Sequence, residues 1–171
     1  VEVKESLLLT VEPPPTHAVT IAQPKGGRII IEPDGTEFEE GTIVRLTAEP
    51  AEGYEFVNWT GSIDSTEDTL VLPIDKPMEV GAQMQDTAPP LITITSPTPG
   101  PVIDQVLNIM GSVTDNDQLT SYEWYRGDKL EGSLNPDALG NFTIGGLELK
   151  EGKNPFKITA KDASGNEASE A

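Results

Sequence analysis

The chain lacks several residue types that enzymes and metal proteins commonly use. It has no cysteine among 171 residues and a single histidine, His17. Disulfides, thiolate metal sites and cysteine nucleophiles are therefore excluded, and at most one imidazole base is available. A hydrolase built on this chain would have to rely on carboxylates, so we expect no enzymatic activity.

The chain is also poor in positive charge and in long apolar runs. Its 29 acidic side chains outnumber 11 basic ones, for a net charge of -18. An acidic surface repels the phosphate backbone, so we expect no nucleic-acid partner. No segment approaches the roughly 20 apolar residues of a membrane-spanning helix, so we expect no membrane insertion.

Alternating β-branched and polar residues fill most of the chain, which also contains 16 glycines and 15 prolines. Apolar rows at a period of two, such as Val44/Leu46/Ala48, predict strands with one inward face. The runs recur about every 8–12 residues between turn-forming residues, which predicts an all-β chain. The predicted strands are 19–22, 28–32, 42–48, 54–59, 69–74, 78–84, 92–95, 106–113, 120–126, 141–144, 154–161 and one from 167.

Proline-rich stretches at 12–16 and 86–90 divide the chain. Consecutive prolines fix φ and act as stiff spacers. We predict an N-terminal strand with a proline-rich linker at 1–16, a first small β module at 17–86, and a second at 87–171. The second module has the strand number of an immunoglobulin-like β-sandwich. A chain that opens without an initiator methionine suggests a piece of a longer protein.

Residues 41–61 carry a specific motif, Gly-Thr-Ile-Val-Arg-Leu-Thr-Ala-Glu-Pro followed by Gly-Tyr-Glu-Phe-Val-Asn-Trp-Thr-Gly. This run resembles the bacterial divergent internalin B-type repeat, whose glycine, phenylalanine and tryptophan spacings it matches together. The resemblance covers about 17–86. It departs from the family at Met84, where an aromatic residue is usual.

Residues from about 89 onward are similar to a bacterial immunoglobulin-like module. The resemblance rests on Pro-Pro-Leu-Ile-Thr-Ile-Thr-Ser-Pro, on Gly-Ser-Val-Thr-Asp and above all on Asp-Ala-Ser-Gly-Asn at 162–166. Both resemblances imply a multi-module protein that is secreted or held at the bacterial cell surface. They imply spacers, adhesin stalks and accessory modules of extracellular enzymes, with neighbouring modules as partners.

Acidic and amide side chains on predicted turns form the candidate metal site. Calcium takes six to eight oxygen ligands, and clustered Asp and Asn on loops supply them. Turn capping, in which these side chains bond their own backbone, is the alternative. We expect that calcium, if a cofactor is bound, lies at one end of the second module among Asp86, Asp104, Asp115, Asn116, Asp117 and Asp162.

A strand at 120–126 supplies the candidate sugar-binding residues. Tyr122, Trp124 and Arg126 share one face of that strand, and exposed aromatic side chains can stack on sugar rings. The alternative is that Trp124 belongs to the core, because sandwiches of this kind often bury a tryptophan on the third strand.

An apolar face at the N-terminus, formed by alternate residues of 1–12, needs a sheet to pair with. It is either an edge strand of a module or a strand donated to another copy of the chain. The sequence as a whole therefore predicts a non-catalytic stalk or adhesion segment. The alternative function is a carbohydrate-binding accessory module of a secreted glycoside hydrolase, with extracellular polysaccharide as its partner.

Overall fold

The computed structural model describes residues 11–102 and 106–171, and every regular element in these ranges is a β-strand. None of the described residues forms a helix long and apolar enough to cross a membrane. The predicted all-β class is confirmed. The strands are β1 Thr16–Ile21, β2 Gly27–Glu32, β3 Glu37–Glu39, β4 Thr42–Pro50, β5 Tyr54–Gly61, β6 Thr69–Ile74, β7 Met78–Asp86, β8 Leu91–Ser96, β9 Val106–Thr114, β10 Leu119–Arg126, β11 Lys129–Ser133, β12 Asn141–Glu148, β13 Phe156–Asp162 and β14 Glu167–Glu170.

The described chain separates into two compact units. The first contains the residues up to Ala51 together with Phe56–Met84, and the second contains Glu52–Glu55 and Gln85–Ala171. Each unit consists of one four-stranded and one three-stranded sheet. The predicted N-terminal strand falls mainly on residues 1–10, which lie outside the described ranges, so its pairing stays a prediction.

The first unit has sheets of order β3-β1-β7-β5 and β2-β4-β6. Strand β1 runs antiparallel to β3 and parallel to β7, whereas β2, β4 and β6 are antiparallel neighbours. The inward row of β4, Val44, Leu46 and Ala48, is buried as its period of two requires. Trp59 is buried at the centre of this core, and the ring of Phe56 lies 5.6 Å from it.

The second unit has sheets of order β11-β10-β13-β14 and β12-β9-β8, with antiparallel neighbours throughout. Its core contains Ile109 and Val113 of β9, Phe142 of β12, and Ile158 of β13. These alternate positions on facing sheets produce the two inner faces of a β-sandwich. The ends of β9 and β13 carry the acidic residues of the candidate metal site.

Two strands were missed by the sequence prediction. Strand β3 is a three-residue segment, Glu-Phe-Glu, and β11 contains a lysine, a glutamate and a glycine. Neither offers an alternating apolar row from which a strand could be predicted. Each is an outer strand that is held by the hydrogen-bond ladder of one neighbour, β1 for β3 and β10 for β11.

Candidate functional site

Three aspartates converge in the second unit. Asp86 is the last residue of β7, Asp162 is the last residue of β13, and Asp115 directly follows β9. One carboxylate oxygen of each residue lies within 4.8 Å of the corresponding oxygens of the other two. Three strand ends thus direct three carboxylates at one point.

Burial makes this cluster unlike an ordinary acidic surface. Only 2% of Asp86 and 1% of Asp162 are exposed, and Asp115 is half-buried. Removing a carboxylate from water is costly unless a cation or hydrogen-bond donors compensate for the lost hydration. The compensation must therefore be found among the neighbours of each oxygen.

Each of Asp86 and Asp115 uses one oxygen and leaves the other free. Oδ1 of Asp86 accepts hydrogen bonds from the Ala88 amide, at 2.9 Å, and from Nδ2 of Asn116, at 3.0 Å. Oδ1 of Asp115 accepts one from the Asp117 amide at 2.7 Å. Oδ2 of both aspartates is shielded from solvent and has no hydrogen-bond partner among the described residues.

Asp162 is oriented by a residue four positions along the chain. The Asn166 amide donates to Oδ1 of Asp162, and Nδ2 of Asn166 donates to Oδ2, both at 2.8 Å. The same Nδ2 also donates to the backbone carbonyl of Asp86 at 3.1 Å. Asn166 thereby ties two of the three clustered aspartates together.

The electrostatics of the cluster are unfavourable to three negative charges. Burial is the largest influence on Asp115 and raises the pKa of its carboxyl above the ordinary value. The hydrogen bond from the Asp117 amide acts in the opposite direction, while the charges of Asp86, Asp162 and Asp117 raise this pKa further. The attraction of a cation at this point would offset the repulsion among the three carboxylates.

The remaining predicted metal ligands have other positions. Asn116 donates to Asp86 through its side chain and accepts a hydrogen bond from the Tyr54 hydroxyl through its carbonyl, at 3.1 Å. Asp117 accepts a hydrogen bond of 3.4 Å from the Ser164 hydroxyl. Asp104 lies outside the described residues. Of the six predicted ligands, three therefore form the cluster, and Asn116 orients one of them.

Comparison with protein families assigns both parts of the chain. Residues 17–86 match the family described as the Divergent InlB B-repeat domain, and residues 90–165 match the Bacterial Ig domain. The chain carries a B-repeat followed by an Ig domain. The order predicted from the sequence is confirmed. A search of curated proteins finds no match to the chain.

The predicted sugar-binding residues of the Ig domain take part in its packing. Tyr122 and Trp124 are partly buried against its core. Trp124 pairs with Gly132 of β11, and a Cβ added at that glycine would lie 3.2 Å from the indole Nε1. The guanidinium of Arg126 lies 5.3 Å from the centre of the Phe156 ring, and its Nη1 donates to the Glu148 carbonyl.

Asn166 is the residue of the candidate metal site that sequence reasoning missed. It ends the Asp-Ala-Ser-Gly-Asn turn, which carried the resemblance to Ig domains but was not connected with ligand orientation. The signal was the spacing of Asp162 and Asn166 across Gly165, whose φ of 96° belongs to the left-handed region. A turn of this kind brings the asparagine back onto the aspartate.

Proposed function

We propose that the chain is a non-catalytic structural segment of a bacterial surface or secreted protein. Repeat and Ig-like domains of these two families are typical of bacterial surface proteins, and such domains are generally non-catalytic. The segment would act by maintaining length and solubility. Antiparallel ladders resist extension, and Pro89 and Pro90 stiffen the chain where the second matched region begins. The net charge of -18 disfavours self-association.

The observation that carries this proposal is the use of both tryptophans in packing. Trp59 is 1% exposed in the core of the B-repeat, and its Nε1 donates to the Glu67 carbonyl at 2.7 Å. Trp124 covers Gly132 and contacts the Ig core. A sugar platform requires a free aromatic face, whereas Trp59 is buried and Trp124 is partly buried against the Ig core.

Tryptophan fluorescence with a collisional quencher tests the assignment. In the Trp124→Phe variant all tryptophan emission comes from Trp59, so the difference from the unsubstituted chain reports on Trp124. We expect both indoles to be quenched several-fold less in the folded chain than in the chain unfolded by urea. Quenching of Trp124 at the unfolded rate in the folded chain would contradict a packing role.

A glycan array on the whole chain tests the carbohydrate-binding alternative. The structural proposal predicts no specific glycan binding. A glycan that binds the unsubstituted chain and the Tyr125→Phe control, but not a folded Trp124→Phe variant, would replace it with the accessory-module function. Tyr125 is a suitable control because it is the aromatic residue next to Trp124 on β10, and successive residues of a strand point to opposite faces. Its hydroxyl donates to Glu123 at 2.6 Å.

A further inference from the structure

We propose that the second compact unit, which contains the Ig domain, binds one calcium ion between Asp86, Asp115 and Asp162. This inference is independent of the proposed structural function. It begins from the two carboxylate oxygens that lack partners, Oδ2 of Asp86 and Oδ2 of Asp115. Asp86 is 98% buried, so bulk solvent does not compensate for the missing interaction, and a bound cation can.

The hydrogen bonds to the three aspartates resemble those that orient carboxylate ligands around a bound metal ion. Donors of the protein fix one oxygen of Asp86 and one of Asp115, and the second oxygen of each remains for the ion. Asn166 holds Asp162 by two hydrogen bonds, and each carboxylate oxygen can still accept a further interaction. Such outer hydrogen bonds fix the direction of a ligand before the metal arrives.

The separation of the oxygens accommodates calcium, which tolerates an irregular set of oxygen ligands, whereas magnesium demands near-ideal octahedral geometry. Calcium–oxygen distances of 2.3–2.6 Å place opposite ligands about 4.6–5.2 Å apart, whereas magnesium requires about 4.0–4.2 Å. The three carboxylates offer oxygens within 4.8 Å of one another. The aspartates supply three or four coordination positions, one each from Asp86 and Asp115 and one or two from Asp162. Backbone carbonyls and ordered water are the oxygen ligands that complete the six to eight positions of calcium.

Charge leads to the same assignment. Three ionised carboxylates within 4.8 Å carry a formal charge of -3, which a divalent cation reduces to -1. The rival explanation is that two carboxyls share a proton, in which case calcium has no effect on the domain.

The ion would join strand ends that are distant in sequence. Asp86 precedes the first strand of the Ig domain, Asp115 follows β9, and Asp162 ends β13. Binding to the folded domain alone stabilises it in proportion to the logarithm of the ligand concentration. Extracellular calcium modules have dissociation constants of about 0.1–1 mM, which suits a protein of the cell surface.

Calcium titration of the whole chain after treatment with a chelator tests this site. We expect one calcium per chain by calorimetry. At about ten times the dissociation constant, we expect the Tm of the Ig domain to rise by roughly 5–10 °C. Magnesium at the same concentration should give a smaller rise.

Three variants distinguish a site from general charge screening. Asp115→Asn keeps the Oδ1 acceptor for the Asp117 amide and removes the free oxygen, so it should abolish calcium binding and the rise in Tm. Without calcium, its Tm should equal or exceed that of the unsubstituted chain, because one repulsive charge is lost. Asp162→Asn should also abolish binding, and Asp128→Asn, at an exposed position of the same domain, should leave it unchanged.

Two results would overturn the proposal. One is a Tm that does not respond to millimolar calcium, as the shared-proton arrangement predicts. The other is an equal response in the Asp115→Asn and Asp128→Asn variants, which would mean that calcium only screens the acidic surface. Because Asp115 is only half-buried, its variant should fold, and the dispersion of its amide NMR signals checks this.

Discussion

The indole of Trp59, the tryptophan of the repeat motif, is 1% exposed and hydrogen-bonded. Large apolar side chains at motif positions are predictable because a small β module has few ways to bury them. The hydrogen bond to the Glu67 carbonyl was not predictable, since it depends on the path of the loop before β6. Residue identity therefore predicts burial better than it predicts polar partners.

The aspartates of the cluster show the same limit. Their positions after strands could be read from the sequence, and so could their suitability as oxygen ligands. The sequence could not predict which carboxylate oxygens remain free, because that depends on donors such as the Ala88 amide and Nδ2 of Asn116. Asp117 has the same residue type and a similar turn context in the sequence, and it does not belong to the structural cluster, whereas Asp104 lies outside the described residues.

Asp137 gives a prediction for pH at the residue scale. Its carboxylate accepts hydrogen bonds from the Asn141 side chain and from the Asn141 and Leu139 amides, which together lower its pKa from the ordinary 3.8. A lowered folded-state pKa stabilises the fold above the unfolded pKa, and this stability is lost as pH falls through the folded value. The Asp137→Ala variant should therefore have a lower Tm at pH 7.

The comparison at low pH completes this test. The difference in Tm between Asp137→Ala and the unsubstituted chain should be full above about pH 5. It should narrow as the pH falls from the unfolded-state pKa of 3.8 through the lower folded-state pKa of Asp137, where the carboxylate of the folded chain becomes protonated. Asp128→Ala, at an exposed position in the same domain, should show little difference at either pH. A difference for Asp137→Ala that is constant from pH 7 to pH 3 would contradict the assignment.

At the scale of elements, strands with an alternating apolar row were predicted and strands without one were not. The predicted 69–74 coincides with β6, and 42–48 lies within β4. Most other boundaries extend by one to four residues in the structure, because a neighbouring strand continues the ladder past the last apolar position. Two moved inward, since β1 ends one residue before the predicted 22 and β13 begins two residues after the predicted 154. Strands β3 and β11 exist only through such pairing.

Gln23 protects one edge of the first unit. Strand β2 is an outer strand of the sheet β2-β4-β6. The Gln23 side chain donates to the Ile29 carbonyl at 3.1 Å and accepts from the Ile29 amide at 2.8 Å, as the backbone of a neighbouring strand would. It thereby occupies edge groups that would otherwise be open to another chain.

We expect Gln23→Ala to lower the free energy of unfolding of the first unit by about 1–3 kcal/mol, because two backbone groups lose their partners. Urea denaturation followed by Trp59 fluorescence in a Trp124→Phe background measures this free energy. The m-value, which is the dependence of the unfolding free energy on urea concentration, should be unchanged. Gln83→Ala, at an exposed position in the same unit, serves as the control and should change the free energy by less than about 0.5 kcal/mol. Equal losses in both variants would refute the edge role.

At the scale of the whole molecule, the chain is two β cores in sequence under a strongly acidic surface. Each core uses its own aromatic residues, and the families of both domains are typical of bacterial surface proteins. Fold class could be predicted because strand periodicity is local in the sequence. The binding partner of the segment depends on its surface residues, and strand periodicity does not determine these.

Single-molecule extension of the whole chain, with and without calcium, tests the central claim most directly. If the segment resists extension, we expect two separate unfolding events, each of which releases roughly 200–280 Å of chain at about 3.5 Å per residue. Calcium should raise the force of one event only, and Asp115→Asn should remove that increase. Extension without any force peak would contradict the structural function. Two peaks that ignore calcium would retain that function and contradict the metal site.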